Sequence, residues 1–120
     1  MRIPGGQWAG RTLTVPPGLG VRPTPDKVRQ AIFNSLGPWI LDCSVLELFA
    51  GTGTLSLECL SRGAATAVCV EKSSKHASYI RRNTKALETN IEIRVQCALR
   101  AVKQLAEANR TFDFICADPP

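Results

Sequence analysis

The sequence has 120 residues, of which 44% are hydrophobic, and it carries a formal net charge of +5. That length suits one domain with a modest core and leaves no room for two. No apolar run approaches the roughly 20 residues that a membrane-spanning helix needs, and residues 1–6 lack the apolar stretch of a secretory signal. The composition therefore predicts a single-domain cytoplasmic protein.

The N-terminal arm, taken as residues 1–23, holds most of the excess positive charge. The charged residues among the first thirty are Arg2, Arg11, Arg22, Lys27 and Arg29 against Asp26 alone. Such an excess suits an anionic partner such as nucleic acid, but it is equally typical of a solubilising surface. Frequent glycine and proline up to residue 23 indicate an irregular arm or hairpin ahead of the main domain.

The first helix is predicted to begin at Thr24-Pro25 and to end at Gly37-Pro38. A hydroxyl residue followed by proline is typical of a helix start, because proline fits the first helical position. The apolar face of this helix would consist of Val28, Ala31, Ile32 and Leu36.

From Ser44 onward, apolar strands alternate with helices. The predicted strands are residues 44–49, 67–70, 91–95 and 112–117, and the predicted helices are residues 54–62, 74–88 and 98–108. Short, continuously apolar strands separated by helices indicate a parallel sheet that is covered on both faces. We therefore predict an α/β fold, with residues 24–120 as its main domain.

Three features follow the ends of predicted strands. They are Glu47-Leu48-Phe49-Ala50-Gly51-Thr52-Gly53, then Glu71, then Asp118-Pro119-Pro120. Glycines let a ligand approach the backbone closely, and an acid after the second strand can accept hydrogen bonds from both hydroxyls of a ribose. Each feature alone is common in turns or on solvated surfaces. Their order at one sheet edge predicts a nucleotide site, since ligands bind beyond the carboxyl ends of such strands.

Two other kinds of site fit the sequence poorly. A dinucleotide-dependent dehydrogenase needs the pattern G-x-G-x-x-G/A, but Ser56 stands at the third glycine position. A metal site needs clustered ligands. The five cysteines form no CxxC pair, and the single histidine, His76, has no cysteine near it in the sequence. We expect no metal.

Four segments of the sequence resemble one known family. They are Arg2-Ile3 with Gly5-Gly6-Gln7-Trp8 and Gly10-Arg11, Arg22-Pro23-Thr24-Pro25-Asp26-Lys27-Val28-Arg29 with Ile32-Phe33-Asn34, Leu48-Phe49-Ala50-Gly51-Thr52-Gly53, and Leu60-Ser61-Arg62-Gly63-Ala64. The family is that of the bacterial 16S ribosomal RNA guanine-N2 methyltransferases, which are class I methyltransferases. The Arg-Pro-Thr-x-Asp segment before the glycine-containing loop is quite specific. Asp-Pro-Pro is shared with many enzymes that methylate amines, including those that act on DNA adenine.

The resemblance implies transfer of a methyl group from S-adenosyl-L-methionine to the exocyclic N2 amine of a guanine. The implied partner is 16S rRNA or the small ribosomal subunit, and the full-length protein is expected to be a monomer. One alternative is an adenine-N6 methyltransferase that acts on DNA or RNA. Another is a non-catalytic module that binds RNA or the cofactor.

The resemblance also assigns roles to individual residues. The implied cofactor-binding residues are Glu47, Phe49, Ala50, Gly51, Thr52, Gly53, Glu71, Lys72, Cys97, Ala98 and Asp118. Among them, Glu47 would lie near the cofactor's ammonium group, Glu71 would hold the ribose, and Cys97 with Ala98 would flank the adenine. The implied catalytic residues are Asp118, Pro119 and Pro120, and the implied RNA-binding residues are Arg11, Arg22, Thr24 and Arg29.

A methyltransferase sheet usually has seven strands, and this sequence supplies four. In the family order 3-2-1-4, the apolar strand at residues 112–117 would be an exposed edge, which invites pairing with another chain. We therefore expect a Rossmann-like class I methyltransferase sheet that is truncated after its fourth parallel strand and preceded by an extended arm and a helix. Its cofactor half would be nearly complete and its substrate pocket incomplete, so that the chain alone would be inactive.

Overall fold

A computed structural model describes residues 1–17 and 26–120. Four parallel strands form one sheet in the order β3-β2-β1-β4, which confirms the predicted α/β fold and strand order. The strands are β1 (Ser44–Leu48), β2 (Thr66–Val70), β3 (Glu92–Arg94) and β4 (Phe114–Ala117). The helices are α1 (Asp26–Leu36), α2 (Thr54–Ser61), α3 (Ser74–Ala86) and α4 (Ala98–Glu107). No helix in the described part of the chain is long and apolar enough to cross a membrane.

The two faces of the sheet are covered by different helices. Val45 of β1 packs with residues of α2 and β2, whereas Leu46 packs with Leu105 of α4. This alternation follows from the strand period of two, which sends successive side chains to opposite faces. At the β4 edge, Ile115 lies on the α4 side and is 57% exposed, because it pairs with Leu46 across the sheet beyond the cover of α4.

The chain stays helical beyond the predicted end of the first helix. Helix α1 ends at Leu36, and a short 3₁₀ helix follows at Gly37–Ile40. Proline is tolerated in the first turn of a helix, so Pro38 stops α1 and also fits the start of the tighter turn. The 3₁₀ helix buries Ile40 in the core between α1 and β1.

Residues 1–13 form a hairpin that packs onto the main domain. The Ile3 amide donates to the Arg11 carbonyl at 3.0 Å, and Ile3 and Leu13 are buried against Leu57 of α2 and Leu87 after α3. The Asn83 side chain accepts from the Thr14 amide at 2.8 Å and donates to the Thr14 carbonyl at 3.0 Å. This part of the predicted arm therefore belongs to the domain core and does not stand ahead of it.

Candidate cofactor and substrate site

A cavity of about 870 Å³ opens at the carboxyl ends of the strands. Its lining comes from all four strand ends: Phe49, Gly51, Val70, Glu71, Lys72, Ser73, His76, Gln96, Cys97, Ala98, Leu99, Asp118, Pro119 and Pro120. The volume falls within the range of about 300–1,000 Å³ that is typical of small-molecule sites. The three sequence features predicted to share one sheet edge thus meet at one cavity.

The Glu71 carboxylate is fixed in the cavity wall by two backbone amides. Its Oε1 accepts a hydrogen bond from the Gly51 amide and its Oε2 accepts one from the Ser73 amide, both at 2.7 Å. A carboxylate can accept about four hydrogen bonds, so two acceptor positions remain for a ligand. The loop after β1 and the start of α3 therefore orient this acid before any ligand binds.

Gly51 and Gly53 have different roles in the glycine loop, residues 49–53. Both have left-handed backbones, with φ of 60° and 74°. A Cβ on Gly51 would meet no atom within 4 Å and would extend into open space, whereas a Cβ on Gly53 would approach Ile80 to 3.2 Å. Gly51 thus keeps room free at the cavity, and Gly53 lets the loop pack on α3.

Replacing Gly51 with alanine is expected to weaken binding of a nucleoside cofactor at least about tenfold, because the methyl group would occupy cavity space, and to cost about 1–2 kcal/mol of stability through backbone strain. Titration calorimetry with S-adenosylhomocysteine measures the first effect and urea unfolding the second. Gly37→Ala is the matched control, because Gly37 has a φ of 53°, open space around it and no contact with the cavity. Equal losses of affinity in both variants would contradict the assigned role.

The structure places Glu47 beneath the glycine loop and not in the cavity wall. Glu47 is 5% exposed, and its Oε1 accepts hydrogen bonds from the Ser56 amide at 3.1 Å and the Ser56 hydroxyl at 2.7 Å. Strand alternation turns this side chain toward α2. Glu47 therefore braces the first turn of α2, and its implied position near a cofactor ammonium stays a prediction.

Three more of the implied cofactor residues lie behind the cavity lining. Ala50 and Thr52 are buried, and neither they nor Gly53 contributes to the wall. The Ala50 amide donates to the Val70 carbonyl at 2.9 Å, and the Gly53 amide donates to the Ala50 carbonyl at 2.9 Å. These residues set the path of the loop, and only Phe49 and Gly51 of the loop reach the cavity.

Burial raises the pKa of Glu47 from 4.5 to about 7, although the Ser56 hydrogen bonds favour the charged form. Between these pH values, the folded chain keeps a proton that the unfolded chain releases. The contribution of the protonated Glu47 carboxyl to the free energy of unfolding is therefore largest below pH 4.5. We expect it to fall by on the order of 3 kcal/mol as the pH rises to 7.

The variant Glu47→Gln is expected to lose this pH dependence. The measurement is urea unfolding of both proteins across the same pH range, because the difference between their profiles isolates Glu47 from other titrating groups. Superimposable profiles would show that the carboxyl does not titrate in this window.

The fourth strand delivers Asp118-Pro119-Pro120 to the cavity beside the glycine loop. Ala117 pairs with Leu48 in the sheet, so Asp118 and Phe49 leave neighbouring strands at the same level. Phe49 is 42% exposed and has a φ of 55°, which is unusual for a residue with a side chain. Strain of this kind costs about 1–3 kcal/mol and is concentrated at functional sites. The strained residue, Phe49, is thus one that lines the cavity wall.

The third strand end contributes Cys97 and Ala98 to the cavity wall, together with Gln96 and Leu99. Cys97 is the N-cap of α4, makes no side-chain cap hydrogen bond and is exposed. Leu99 is 86% exposed although it is apolar. Sequence reasoning missed Leu99, Ser73 and His76. Only their positions in the sequence could have indicated that they line the cavity, because each lies at the start of a helix that follows a strand end.

The predicted RNA contacts fare differently from one another. Arg29 is 1% exposed and lies 4.0 Å from Glu58, which in turn pairs with Arg62 at 2.9 Å. The prediction that Arg29 contacts RNA is therefore wrong, because its guanidinium is buried inside the fold beside Glu58. Arg11 is exposed and donates to the Ala86 carbonyl at 3.2 Å. Arg22 and Thr24 lie outside the described residues.

The predicted apolar face of α1 is wrong, because the helix buries Arg29 and Phe33 instead of Val28. Val28 is 46% exposed, whereas Arg29 and Phe33 are buried. The Arg62 guanidinium lies 4.8 Å from the centre of the Phe33 ring. The helix thus presents Arg29 to Glu58 of α2 and the Phe33 ring to Arg62, and Val28 lies further toward solvent. Across residues 1–17 and 26–120, no group of three or more His, Cys, Asp or Glu side chains is arranged to hold a metal ion.

Comparison with known proteins shows the family to which the chain belongs. Residues 1–120 match the family described as conserved hypothetical protein 95. The chain belongs to this family. It is 41% identical over 120 residues to ribosomal RNA small subunit methyltransferase D of Escherichia coli strain K12, and covers 60% of that relative. It is 36% identical over 123 residues to the protein of the same name from Haemophilus influenzae, and covers 63% of it.

The solved structures agree with the fold. The hypothetical protein TTHA0928 of Thermus thermophilus matches all of the chain with a TM-score of 0.91 and 27% identity, and the chain covers 69% of it. A structure of SMU.776 complexed with SAH matches 78% of the chain with a TM-score of 0.67, and the chain covers 25% of it. Its identity of 23% shows the fold alone. The small-subunit rRNA methyltransferase family recognised from the motifs is confirmed, and the chain spans about 60% of the length of its curated relatives.

Proposed function

We propose that the chain binds S-adenosyl-L-methionine in the cavity, as part of an enzyme that methylates the N2 amine of a guanine in 16S rRNA. The observation that carries the proposal is the shared cavity of Glu71, the glycine loop and Asp118-Pro119-Pro120. The names of the Escherichia coli and Haemophilus influenzae relatives support the rRNA substrate. The structural neighbour described as complexed with SAH shares the fold, and the cofactor is assigned here from the residues that line the cavity.

The residues at the cavity fit such a cofactor. Glu71 offers two oxygens that are already oriented by backbone amides, which suits a pair of ribose hydroxyls. Gly51 leaves open space for the amino-acid part, and backbone groups of Cys97 and Ala98 would flank the adenine. Phe49 and Lys72 complete the wall. When bound, the cofactor supplies a methyl group on a positively charged sulfur, which is an activated leaving group.

The Asp118-Pro119-Pro120 segment would orient the target amine. The lone pair of this amine is delocalised into the guanine ring, so the amine is a poor nucleophile. The Asp118 carboxylate and the Pro119 carbonyl can each accept one of its N–H groups and so turn the lone pair toward the methyl group. Proline fixes its own φ, which limits the directions open to the Pro119 carbonyl. Positioning of this kind is the main contribution the protein has to make.

Proton removal also falls to this segment. The amine becomes acidic once it carries the additional methyl group, and the Asp118 carboxylate, already hydrogen-bonded to that amine, can accept its proton. Asp118 is exposed at the cavity mouth, so the proton can pass on to solvent. The target base has to leave its stack to reach this position, which costs less from a loop than from a duplex.

Titration calorimetry with S-adenosylhomocysteine tests the cofactor assignment. Saturable binding is expected for S-adenosylhomocysteine and none for NADH, with circular dichroism to verify folding. A folded chain that binds neither molecule, or that prefers NADH, would contradict the assignment.

The target base requires a separate test. A protein extended to the full length of its relatives is expected to transfer methyl groups to 16S rRNA and to yield N2-methylguanosine in a nucleoside digest analysed by mass spectrometry. N6-methyladenosine in the digest would instead support the adenine alternative. Binding of both cofactor and RNA without transfer would support the non-catalytic module.

A further inference from the structure

Helix α3 carries positive charge that no acid of the same helix balances. Its thirteen residues include Lys75, Arg81, Arg82 and Lys85 and no aspartate or glutamate. Lys75, Arg81 and Lys85 are exposed, and Arg82 stacks beside Tyr79 at the helix surface. Elsewhere, Arg94 and Arg110 both pair with Glu92 at 2.8 Å. Among the described residues, none of the ion pairs involves a cation of α3.

The position of these cations is not explained by helix stability. A helix N-terminus carries partial positive charge, so acids are favoured in the first turn and cations in the last. Lys85 lies in the last turn of α3 and fits this preference. Lys75 lies in the first turn, where no acid is present, and Lys72 just precedes the helix. These two lysines oppose the helix dipole, so helix stability does not account for their charge.

The cations form a continuous surface. Lys75, Tyr79 and Arg82 follow the i, i+4, i+7 spacing of one helix face, and the Arg82 guanidinium lies 5.0 Å from the centre of the Tyr79 ring. Arg11 of the hairpin extends this face, because its guanidinium is anchored on the Ala86 carbonyl at the end of α3. We name Arg11, Lys75, Tyr79, Arg82 and Lys85 the α3 basic face.

One end of this face lies at the cavity. Lys72 and His76, at the start of α3, line the cavity wall. From there, the helix extends over about 20 Å, at roughly 1.5 Å per residue. Arg11 then stands at its far end, where one guanidinium N–H is used by the Ala86 carbonyl and about four others remain as donors.

We propose that the α3 basic face binds the phosphodiester backbone of the RNA whose base enters the cavity. The identity of the ligand as RNA rests on the proposed function. Cations interleaved with an aromatic ring are typical of surfaces that follow a single-stranded nucleic acid. A membrane surface would need a large apolar face beside the charges. Among the described residues, the large exposed apolar side chains lie on other elements: Val28, Trp39, Leu41, Phe49, Val95, Leu99, Val102 and Ile115.

The test compares two double variants of the chain in fluorescence anisotropy with a labelled RNA hairpin. K75Q/R82Q removes two cations from the α3 basic face, and R100Q/K103Q removes one arginine and one lysine from α4. K75Q/R82Q is expected to weaken binding at least about fivefold at low salt and to lower the slope of log K against log salt by roughly one to two. R100Q/K103Q is expected to change affinity by less than about twofold, since no contacted phosphate is lost.

Three outcomes would overturn this inference: no saturable RNA binding by the parent chain, equal losses in both double variants, or an unchanged salt slope in K75Q/R82Q. Displacement of the RNA by poly-glutamate at matched charge concentration would reassign the surface to an acidic protein. Titration of S-adenosylhomocysteine into the same samples separates this inference from the proposed function. If RNA binding is lost while cofactor binding is intact, only the proposal for the α3 basic face is contradicted. If the α3 basic face binds RNA but the chain does not bind the cofactor, only the methyltransferase assignment is contradicted.

Discussion

Replacing Glu71 with alanine is expected to reduce affinity for S-adenosylhomocysteine at least about a hundredfold. A hydrogen bond to a charged group contributes about 1.5–3 kcal/mol, and two such bonds to a ribose would be lost together. The variant also removes the acceptors of the Gly51 and Ser73 amides, which hold the glycine loop and the start of α3 in place. Titration calorimetry on the folded variant measures the change.

Glu92→Ala is the matched control for this experiment. Glu92 is an exposed acid outside the cavity that pairs with Arg94 and Arg110, and its removal should leave cofactor affinity within about twofold. Glu71→Gln should fall between the parent and Glu71→Ala, since one amide oxygen can still accept. Cofactor affinity that is the same in Glu71→Ala and Glu92→Ala would remove Glu71 from the site.

The variant Glu58→Gln should lower the free energy of unfolding by about 3–5 kcal/mol, which is typical when one member of a buried ion pair is removed. Glu58 is fully buried in α2 and faces Arg29 at 4.0 Å and Arg62 at 2.9 Å. Glutamine keeps the size of the side chain but loses the charge that offsets burial of Arg29. For a domain with a total stability of about 5–15 kcal/mol, this loss is large.

Urea unfolding followed by circular dichroism measures that loss, with Glu107→Gln as the control. Glu107 is the last residue of α4 and is exposed, so its replacement should change stability by less than about 0.5 kcal/mol. A Glu58→Gln variant as stable as Glu107→Gln would show that Arg29 does not depend on this acid.

Much of the fold could be predicted because its signals are local. Strands β1, β2 and β4 are short, mostly apolar runs, and parallel strands bring their carboxyl ends to one edge of the sheet. Glu71 and Asp118 could therefore be assigned to a common site from the sequence. The boundaries were less accurate, because the short strand Glu92–Arg94 is set by its pairing with β2.

Two charged residues could not be placed from the sequence, because their partners are distant along the chain. The resemblance implied a place for Glu47 near the cofactor's ammonium group, but it did not show that strand alternation turns this side chain to Ser56. Arg29 looked like a phosphate contact, but it shares its burial with Glu58, 29 positions away. One signal was available: an acid inside the apolar helix α2 predicts a buried cation nearby.

The hairpin has a consequence for the order of events on the ribosome. Thr14 pairs with Asn83, and Arg11 with Ala86, across separations of 69 and 75 residues. Synthesis proceeds toward the C-terminus, so the hairpin is made before α3 and can dock only after α3 has emerged. During that interval Ile3 and Leu13 lack Leu57 and Leu87, the residues that bury them in the finished fold. The hairpin is thus translated before the residues that bury it, and its apolar side chains stay uncovered in the nascent chain until Leu57 and Leu87 have been made.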